Sequence, residues 1–137
     1  MQKKLTILLI EDDQIEIMKF NRILTKIDSE HEIIEANNGE DALNILSNKE
    51  ALPSLILLDL NMPKVNGIEF LKILKNDEAL KYIPTVILTT SNNYKDMLEC
   101  YKIGIAGYMV KPLKYEDYKN KLIKVLSYWS VNELISV

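Results

Sequence analysis

Short apolar runs alternate five times with longer amphipathic segments along this chain of 137 residues. The first, third and fourth runs are almost continuous Ile, Leu and Val, as expected of strands that are covered on both faces. Pro53 and Pro84 each stand just ahead of such a run, where a proline costs no hydrogen bond of a sheet. We therefore predict five strands, over residues 4–10, 31–36, 54–59, 85–90 and 107–110.

The segments between these strands carry apolar residues at helical spacing. The first segment follows Asp13, which has Glu16 three places later, the spacing of a helix capping box. Gly104 ends the fourth segment and is a predicted helix C-cap. The apolar positions of the first helix are Ile15, Met18, Ile23 and Ile27. The remaining helices are predicted over residues 38–50, 67–77, 94–104 and 115–129.

Five strand–helix repeats with right-handed crossovers give an open parallel sheet with helices on both faces, an α/β fold. Sheets of this kind bind ligands at the carboxyl ends of their strands, near the switch in strand order. The pattern runs to about Trp129. We therefore predict one folded domain over residues 1–130 and a short tail over 131–137, with no output domain.

Charge and hydropathy narrow the classes of partner. Lys and Arg total 17 against 20 Asp and Glu, giving a net charge of −3 and a pI near 5.2. This balance disfavours nucleic-acid binding, which needs a concentrated basic face. The apolar run near the amino terminus stops at Ile10, and no stretch approaches the roughly 18 apolar residues of a membrane span. A cytoplasmic protein that binds neither membrane nor nucleic acid is expected.

Polar side chains follow the predicted strands on one edge of the sheet. Glu11, Asp12 and Asp13 follow the first strand, and Asp59 ends the third. Carboxylates held close together repel one another unless a cation sits among them. Oxygen ligands without His or Cys suit a hard cation such as Mg²⁺. The alternative is that Asp13 caps a helix while Asp12 and Asp59 are solvated; Thr89 and Lys111 on the same edge make it the weaker interpretation.

The chain resembles the receiver domain of two-component response regulators from about residue 4 to residue 129. Asp59 precedes Thr89 by 30 positions and Lys111 by 52, which is the family's spacing. An ordered set of these residues across four strands is highly specific for this family. The residues that carry the resemblance are Asp12 and Asp13 in "LLIEDD", Asp59 in "LILLDLNMP", Gly67, Thr89 in "VILTTS", and Tyr108 and Lys111 in "GYMVKP".

The resemblance implies a fold and a reaction. The fold is flavodoxin-like: a doubly wound sheet of five parallel strands in the order 2-1-3-4-5, with five helices in three α/β/α layers. Asp59 would be the phosphoacceptor, taking a phosphoryl group from a phosphohistidine on a sensor histidine kinase or a phosphotransfer protein. Such a protein catalyses only its own phosphorylation and dephosphorylation and is not otherwise an enzyme.

The resemblance also assigns the surrounding groups. Asp12, Asp13, Asp59 and the backbone carbonyl of Asn61 would hold Mg²⁺, for which Mn²⁺ can substitute. Lys111 would counter the phosphoryl charge by electrostatic stabilisation. Thr89 would donate its hydroxyl to the phosphoryl group and act with Tyr108 as a switch. Asn61 and Ser91 would tune the rate of hydrolysis. The peptide bond at Lys111–Pro112 would be cis.

An added phosphoryl charge shifts the equilibrium of a local two-state region. We expect the signal to be passed to a partner through the face built from residues 94–129. Aromatic side chains near the end of this face either cap the core or form a homodimer or partner contact. The stretch "NDEALKYIPTVILTTSNNYKD" also resembles stand-alone receivers paired with bacteriophytochromes, and another histidine kinase is the equal alternative.

Three other classes of protein fit less well. Haloacid-dehalogenase-type phosphatases need a second Asp two residues after the nucleophile, where this chain has Asn61. Flavodoxin-like electron carriers need a Ser/Thr/Gly-rich phosphate loop after strand one, and "EDDQIE" would repel a cofactor phosphate. A receiver-shaped module that no longer takes phosphate is disfavoured by the intact set of acids, threonine and lysine.

Overall fold

The computed structural model describes residues 3–27, 29–62 and 66–135. Pro63 of the "DLNMP" motif and the last two residues of the predicted tail lie outside these ranges. Within these described ranges, five strands alternate with five helices, as predicted. In chain order they are β1 (Thr6–Ile10), α1 (Gln14–Lys26), β2 (Glu32–Ala36), α2 (Gly39–Leu46), β3 (Leu55–Leu58), α3 (Gly67–Asn76), β4 (Thr85–Thr89), α4 (Tyr94–Ile103), β5 (Gly107–Val110) and α5 (Tyr115–Ser130).

The strands form one parallel sheet in the order β2-β1-β3-β4-β5, which confirms the predicted topology. Ile10 pairs with Leu58 across β1 and β3, and Thr89 pairs with Val110 across β4 and β5. Because every strand runs in the same direction, the carboxyl ends of β1, β3, β4 and β5 meet at one edge. The strand order reverses between β1 and β3, so this edge contains the switch point.

Alternate residues of the central strands face two separate cores, which is why these strands are apolar throughout. On one face, Ile56 and Leu58 pack with buried residues of α2, α3 and α4. On the other face, Leu55 and Leu57 pack with buried residues of α1 and α5. The sheet is therefore the middle of three layers, as the resemblance implied.

The first helix differs from its sequence-based description. Ile15 and Met18, which the apolar spacing assigned to it, are exposed at 68% and 62%. Its buried face is Ile17, Phe20, Ile23 and Leu24. The buried face therefore begins at Ile17, and of the four positions that the spacing assigned only Ile23 belongs to it.

Smaller differences concern helix ends and one peptide bond. The second helix ends at Leu46, four residues before the predicted end, because no apolar residue follows it until Ala51. Gly104 is a C-cap with φ of 125°, as predicted. No peptide bond of the described residues is cis, so the expectation for Lys111–Pro112 was wrong; sequence decides poorly between two X–Pro isomers that differ by only about 0.5–1 kcal/mol.

The aromatic residues of α5 differ in burial. Tyr118 is buried, and Tyr115 and Trp129 pack against the α1/α5 core. Tyr128 is 59% exposed and meets the Trp129 ring edge-on at 5.0 Å. Across the described residues, no helix is both long enough and apolar enough to cross a bilayer.

Candidate functional site

A cleft of about 270 Å³ opens at the carboxyl edge of the sheet. Four of its lining residues are each the first residue after a strand: Glu11 after β1, Asp59 after β3, Thr90 after β4 and Lys111 after β5. Neighbouring strands thus deliver four polar groups, far apart in sequence, to one small volume. The other lining residues are Asp12, Asp13, Glu16 and Asn61.

Three carboxylates cluster in this cleft. Glu11, Asp12 and Asp59 each offer an oxygen, and these oxygens lie within 4.8 Å of one another. Glu11 and Asp59 are buried at 3% and 9% exposure, whereas Asp12 is open to solvent. Such a set of oxygen donors with one open side suits a hard divalent cation that keeps several waters.

Asp13 caps α1, as its capping-box spacing and the alternative interpretation of the acids predicted. Its Oδ1 accepts a hydrogen bond from the Ile15 N–H at 2.9 Å, so its side chain caps α1. It lines the cleft without joining the three clustered carboxylates. The predicted ligand set left out Glu11, although the sequence places it with Asp12 and Asp13 after the first strand. Its Oε2 accepts a hydrogen bond from the Asp13 N–H at 3.3 Å. Its position directly after the last residue of β1 is the signal that could have added it to that set.

Lys111 reaches the cleft from β5, the edge strand on the opposite side of Asp59 from Glu11. Its ammonium forms a salt bridge with Glu11 Oε1 and lies 3.6 Å from Glu16 Oε2. The strands that precede Lys111 and Glu11 are separated by β3 and β4, a distance of about 14 Å at normal strand spacing. The long side chains therefore meet above the ends of β3 and β4, over Asp59 and Thr90.

The cleft holds more negative charge than Lys111 can balance. Burial raises the pKa of Glu11 to about 7, against the opposing effect of Lys111, and Asp59 adds to the rise. Burial alone would lower the pKa of Lys111, but its ion pair with Glu11 and the charges of Asp59 and Glu16 raise it. The surplus of carboxylates favours the uptake of another positive charge, either a proton or a metal cation.

The proposed switch residues lie beside the cleft. Thr89 is the fully buried last residue of β4, and its hydroxyl oxygen accepts from the Ser91 N–H at 3.3 Å. The Tyr108 hydroxyl donates to the Ser91 carbonyl at 2.8 Å, which ties β5 to the segment after β4. Thr90 lines the cleft, where its position at the end of the fourth strand places it.

Asn61 also lines the cleft. Its side chain is exposed, and its backbone N–H donates to Asp59 Oδ1 at 3.3 Å. The Asp59 Oδ2 atom takes no part in this hydrogen bond.

A family comparison agrees with this geometry. The model of the response regulator receiver domain matches residues 7–123. The chain belongs to this family. Receivers act in two-component signalling, and the relatives of this receiver are signalling proteins rather than metabolic enzymes.

Individual relatives cover nearly the whole receiver. The probable methanogenesis regulatory protein FilR2 of Methanothrix harundinacea is 36% identical over 90% of this chain and 82% of its own length. Response regulator Rcp1 of Synechocystis is 34% identical over 90% and 87%. The crystal structure of the Mn²⁺-bound form of Rcp1 has a TM-score of 0.87 and 32% identity over 96% of this chain and 99% of that one. The phosphorylated cyanobacterial phytochrome response regulator RcpA has a TM-score of 0.89 and 31% identity over 97% and 99%.

Gly67 sets the position of Asp59 in this receiver. A Cβ atom at Gly67 would lie 2.6 Å from the Leu60 Cα and 2.9 Å from the Asp59 carbonyl oxygen. The Gly67 N–H donates to the Leu60 carbonyl at 3.3 Å, so α3 begins in direct contact with the loop after β3. Only glycine permits this approach of two backbones.

Proposed function

We propose that this receiver is a phosphoacceptor: a sensor histidine kinase or a histidine phosphotransfer protein donates a phosphoryl group to Asp59 with Mg²⁺ as cofactor. The single observation that carries the proposal is the placement of Asp59. Its carboxylate lies at the sheet edge with Glu11 and Asp12 on one side and shares the cleft with Lys111. A nucleophile, cation ligands and an ammonium in one cleft are the parts that phosphoryl transfer needs.

The metal ligands would be Glu11, Asp12, Asp59 and the backbone carbonyl of Asn61. The donor set fits because all its members are oxygens and because the cleft has a surplus of negative charge. The Mn²⁺-bound structure of the relative Rcp1 supports a divalent cation as the type of ligand. When bound, the cation would neutralise charge between the carboxylates and the incoming phosphoryl oxygens.

In the transfer step, an Asp59 carboxylate oxygen attacks the phosphorus of a phosphohistidine. An O–P bond forms and the P–N bond breaks, and its electron pair stays on the imidazole nitrogen. The imidazole leaves as a neutral ring because its second nitrogen already carries a proton. Lys111 and the Thr89 hydroxyl stabilise the charge on the transferred group, and Asn61 and Ser91 border the path of the water that later hydrolyses it.

Two exposed apolar side chains flank the cleft and suit a docked phosphodonor. Ile15 precedes Glu16 on α1 and is 68% exposed, and Leu113 follows Lys111 by two residues and is 99% exposed. Single exposed apolar side chains are common on protein surfaces, and these two are chosen for their position beside the cleft. A phytochrome-type kinase is the first donor to test, since the relative RcpA is named for a phytochrome.

The output surface would be the face of residues 94–129. On α4, Tyr94, Leu98 and Tyr101 are exposed at 72%, 41% and 51% and follow one helical stripe. The Tyr108–Ser91 hydrogen bond links this face to the cleft through the segment after β4. We propose that residues 1–130 form the signalling unit, with 131–137 as a tail, and that phosphorylation alters a homodimer or partner contact on this face.

Incubation with acetyl phosphate and Mg²⁺ tests the proposal. Intact-mass analysis should detect one added phosphoryl group, and the adduct should be absent in Asp59→Asn or after removal of Mg²⁺ by a chelator. Asp117→Asn, which removes an exposed acid from the first turn of α5, is the matched control and should be phosphorylated normally. If no adduct forms and beryllium fluoride with Mg²⁺ does not perturb the protein's NMR spectrum, the proposal is wrong.

Sizing measurements test the output surface separately. Light scattering after chromatography, with and without beryllium fluoride, reports whether the modified form changes its oligomeric state. A change that disappears in Tyr101→Lys, while phosphorylation persists, would assign the contact to the α4 stripe.

A further inference from the structure

Glu16 lies in the cleft without a role in the chemistry proposed so far. It belongs to the first turn of α1, and its side chain is 20% exposed. Its two oxygens face different ammonium groups: Oε1 lies 3.4 Å from Lys19 Nζ, and Oε2 lies 3.6 Å from Lys111 Nζ. Glu16 thus connects a buried lysine of the cleft to a lysine on the helix surface.

The oxygen that faces Lys111 is poorly satisfied. Glu16 Oε2 is buried and accepts no hydrogen bond from any residue that the structure describes. A buried acceptor without a donor is unfavourable. An approach of about 0.7 Å would bring the Lys111 ammonium to ordinary hydrogen-bond distance from it. Lys111 therefore has one carboxylate partner in Glu11 and a second within easy reach.

We propose that Glu16 is a positioning residue for Lys111, one that accepts its ammonium when Glu11 turns toward the bound cation. The inference rests on the proposed function, because Glu11 belongs to the carboxylate cluster that would hold the metal. Binding of a cation competes with Lys111 for the same Glu11 side chain. A buried ammonium that loses its hydrogen-bonded partner is strongly unfavourable, and Glu16 gives Lys111 a second carboxylate while Lys111 remains above Asp59.

The position of Glu16 suits this task. Glu16 lies in the first turn of α1, which Asp13 caps by accepting a hydrogen bond from the Ile15 N–H. The same turn brings Lys19 alongside, but Lys19 reaches the other oxygen of Glu16. The Lys111 contact and the Lys19 contact can therefore be removed one at a time.

The test measures the rate of phosphorylation by acetyl phosphate with saturating Mg²⁺, by intact mass. Glu16→Gln keeps the length of the side chain and removes its charge, and we expect a rate about tenfold lower. Glu16→Asp keeps the charge but is one methylene too short, and we expect a similar loss. Lys19→Gln is the matched control, since it removes the contact with the other oxygen of Glu16 and leaves the Lys111 contact in place, and it should retain the wild-type rate within about twofold.

A double-mutant cycle separates positioning from a general structural effect. In the Lys111→Met background, Glu16→Gln should change the rate by less than about twofold, because its effect passes through Lys111. A further tenfold loss in that background, or a wild-type rate in Glu16→Asp, would overturn the inference. Equal urea midpoints for wild type and Glu16→Gln are expected, and the Glu16→Asp variant provides the rate comparison if Glu16→Gln is unstable.

The failure of this inference and that of the proposed function look different. If the wild-type protein takes up no phosphoryl group, the proposed function fails. If the wild type is phosphorylated and Glu16→Gln reacts at the same rate, only the role of Glu16 is refuted.

Discussion

Replacement of Gly67 by alanine should distort the cleft, because the new methyl group would push against the backbone of the loop after β3, which carries Asp59. The new Cβ would lie 2.6 Å from the Leu60 Cα, whereas ordinary contacts begin at 3.4 Å, so the two backbones must separate by about 0.8 Å. Overpacking of this kind costs about 1–3 kcal/mol. Alanine recovers at most about 1 kcal/mol as the better helix former. With that gain realised in full, we expect the free energy of unfolding to fall by about 0–2 kcal/mol.

The same displacement acts on the Asp59 carbonyl, which would lie only 2.9 Å from the new methyl group. A misplacement of about 1 Å at a reacting group can reduce a rate by about 100-fold, and we expect a loss of 10- to 100-fold in phosphorylation by acetyl phosphate. Urea denaturation followed by circular dichroism gives the stability, and intact mass gives the rate.

Gly107→Ala is the matched control for this prediction. A Cβ at Gly107 would lie 3.9 Å from both methyl groups of Val86, which is an ordinary contact. Its free energy of unfolding should stay within about 0.5 kcal/mol of wild type. If Gly67→Ala proves as stable and as reactive as Gly107→Ala, the close approach of α3 to the loop after β3 does not position Asp59.

Three further predictions follow from individual side chains. Asp12→Asn should weaken Mn²⁺ binding, measured by calorimetry, by roughly tenfold or more. Asp13→Ser keeps a helix cap and should bind Mn²⁺ with almost the wild-type affinity. Equal losses of affinity in the two variants would show that Asp13 is also a metal ligand. Burial lowers the pKa of His31 below 6.5, and its Nδ1 accepts a hydrogen bond from the Leu5 N–H at 2.9 Å. Because His31 of the unfolded chain binds a proton at a higher pH than His31 of the folded chain, the free energy of unfolding should fall as the pH drops through 6.5. The urea midpoint should therefore decrease between about pH 7.5 and about pH 5.5, and it should decrease less in His31→Gln. Tyr108→Phe removes a hydroxyl that donates at 2.8 Å and should lower the free energy of unfolding by about 1 kcal/mol, which a wild-type urea midpoint would contradict.

The fold could be predicted because its determinants are local. The apolar runs need two covered faces, and each strand boundary was placed within two residues of its position in the structure. The apolar face of α1 was harder, since Ile15 and Met18 imitate the spacing of buried positions. Their exposure depends on where the helix begins relative to the sheet, which the cap at Asp13 decides.

The cleft could be predicted in outline but not to the single residue. Three consecutive acids follow β1, and only the strand register shows that Glu11 and Asp12, rather than Asp13, meet Asp59. The Lys111–Glu11 salt bridge joins strands that are not neighbours, so no local pattern predicts it. Such a contact depends on how far two long side chains reach across the sheet.

The construction of the cleft from the first residue after each of four strands restricts how the chain can change in length. Deletion of one residue inside β1 would move every later side chain of that strand by about 3.3 Å and turn it to the opposite face. The acids after β1 would then leave Asp59, and the two cores would lose their apolar partners in the same event. Insertions and deletions should therefore be tolerated at the amino-terminal edge of the sheet, and inside the strands they should abolish folding and phosphate uptake together.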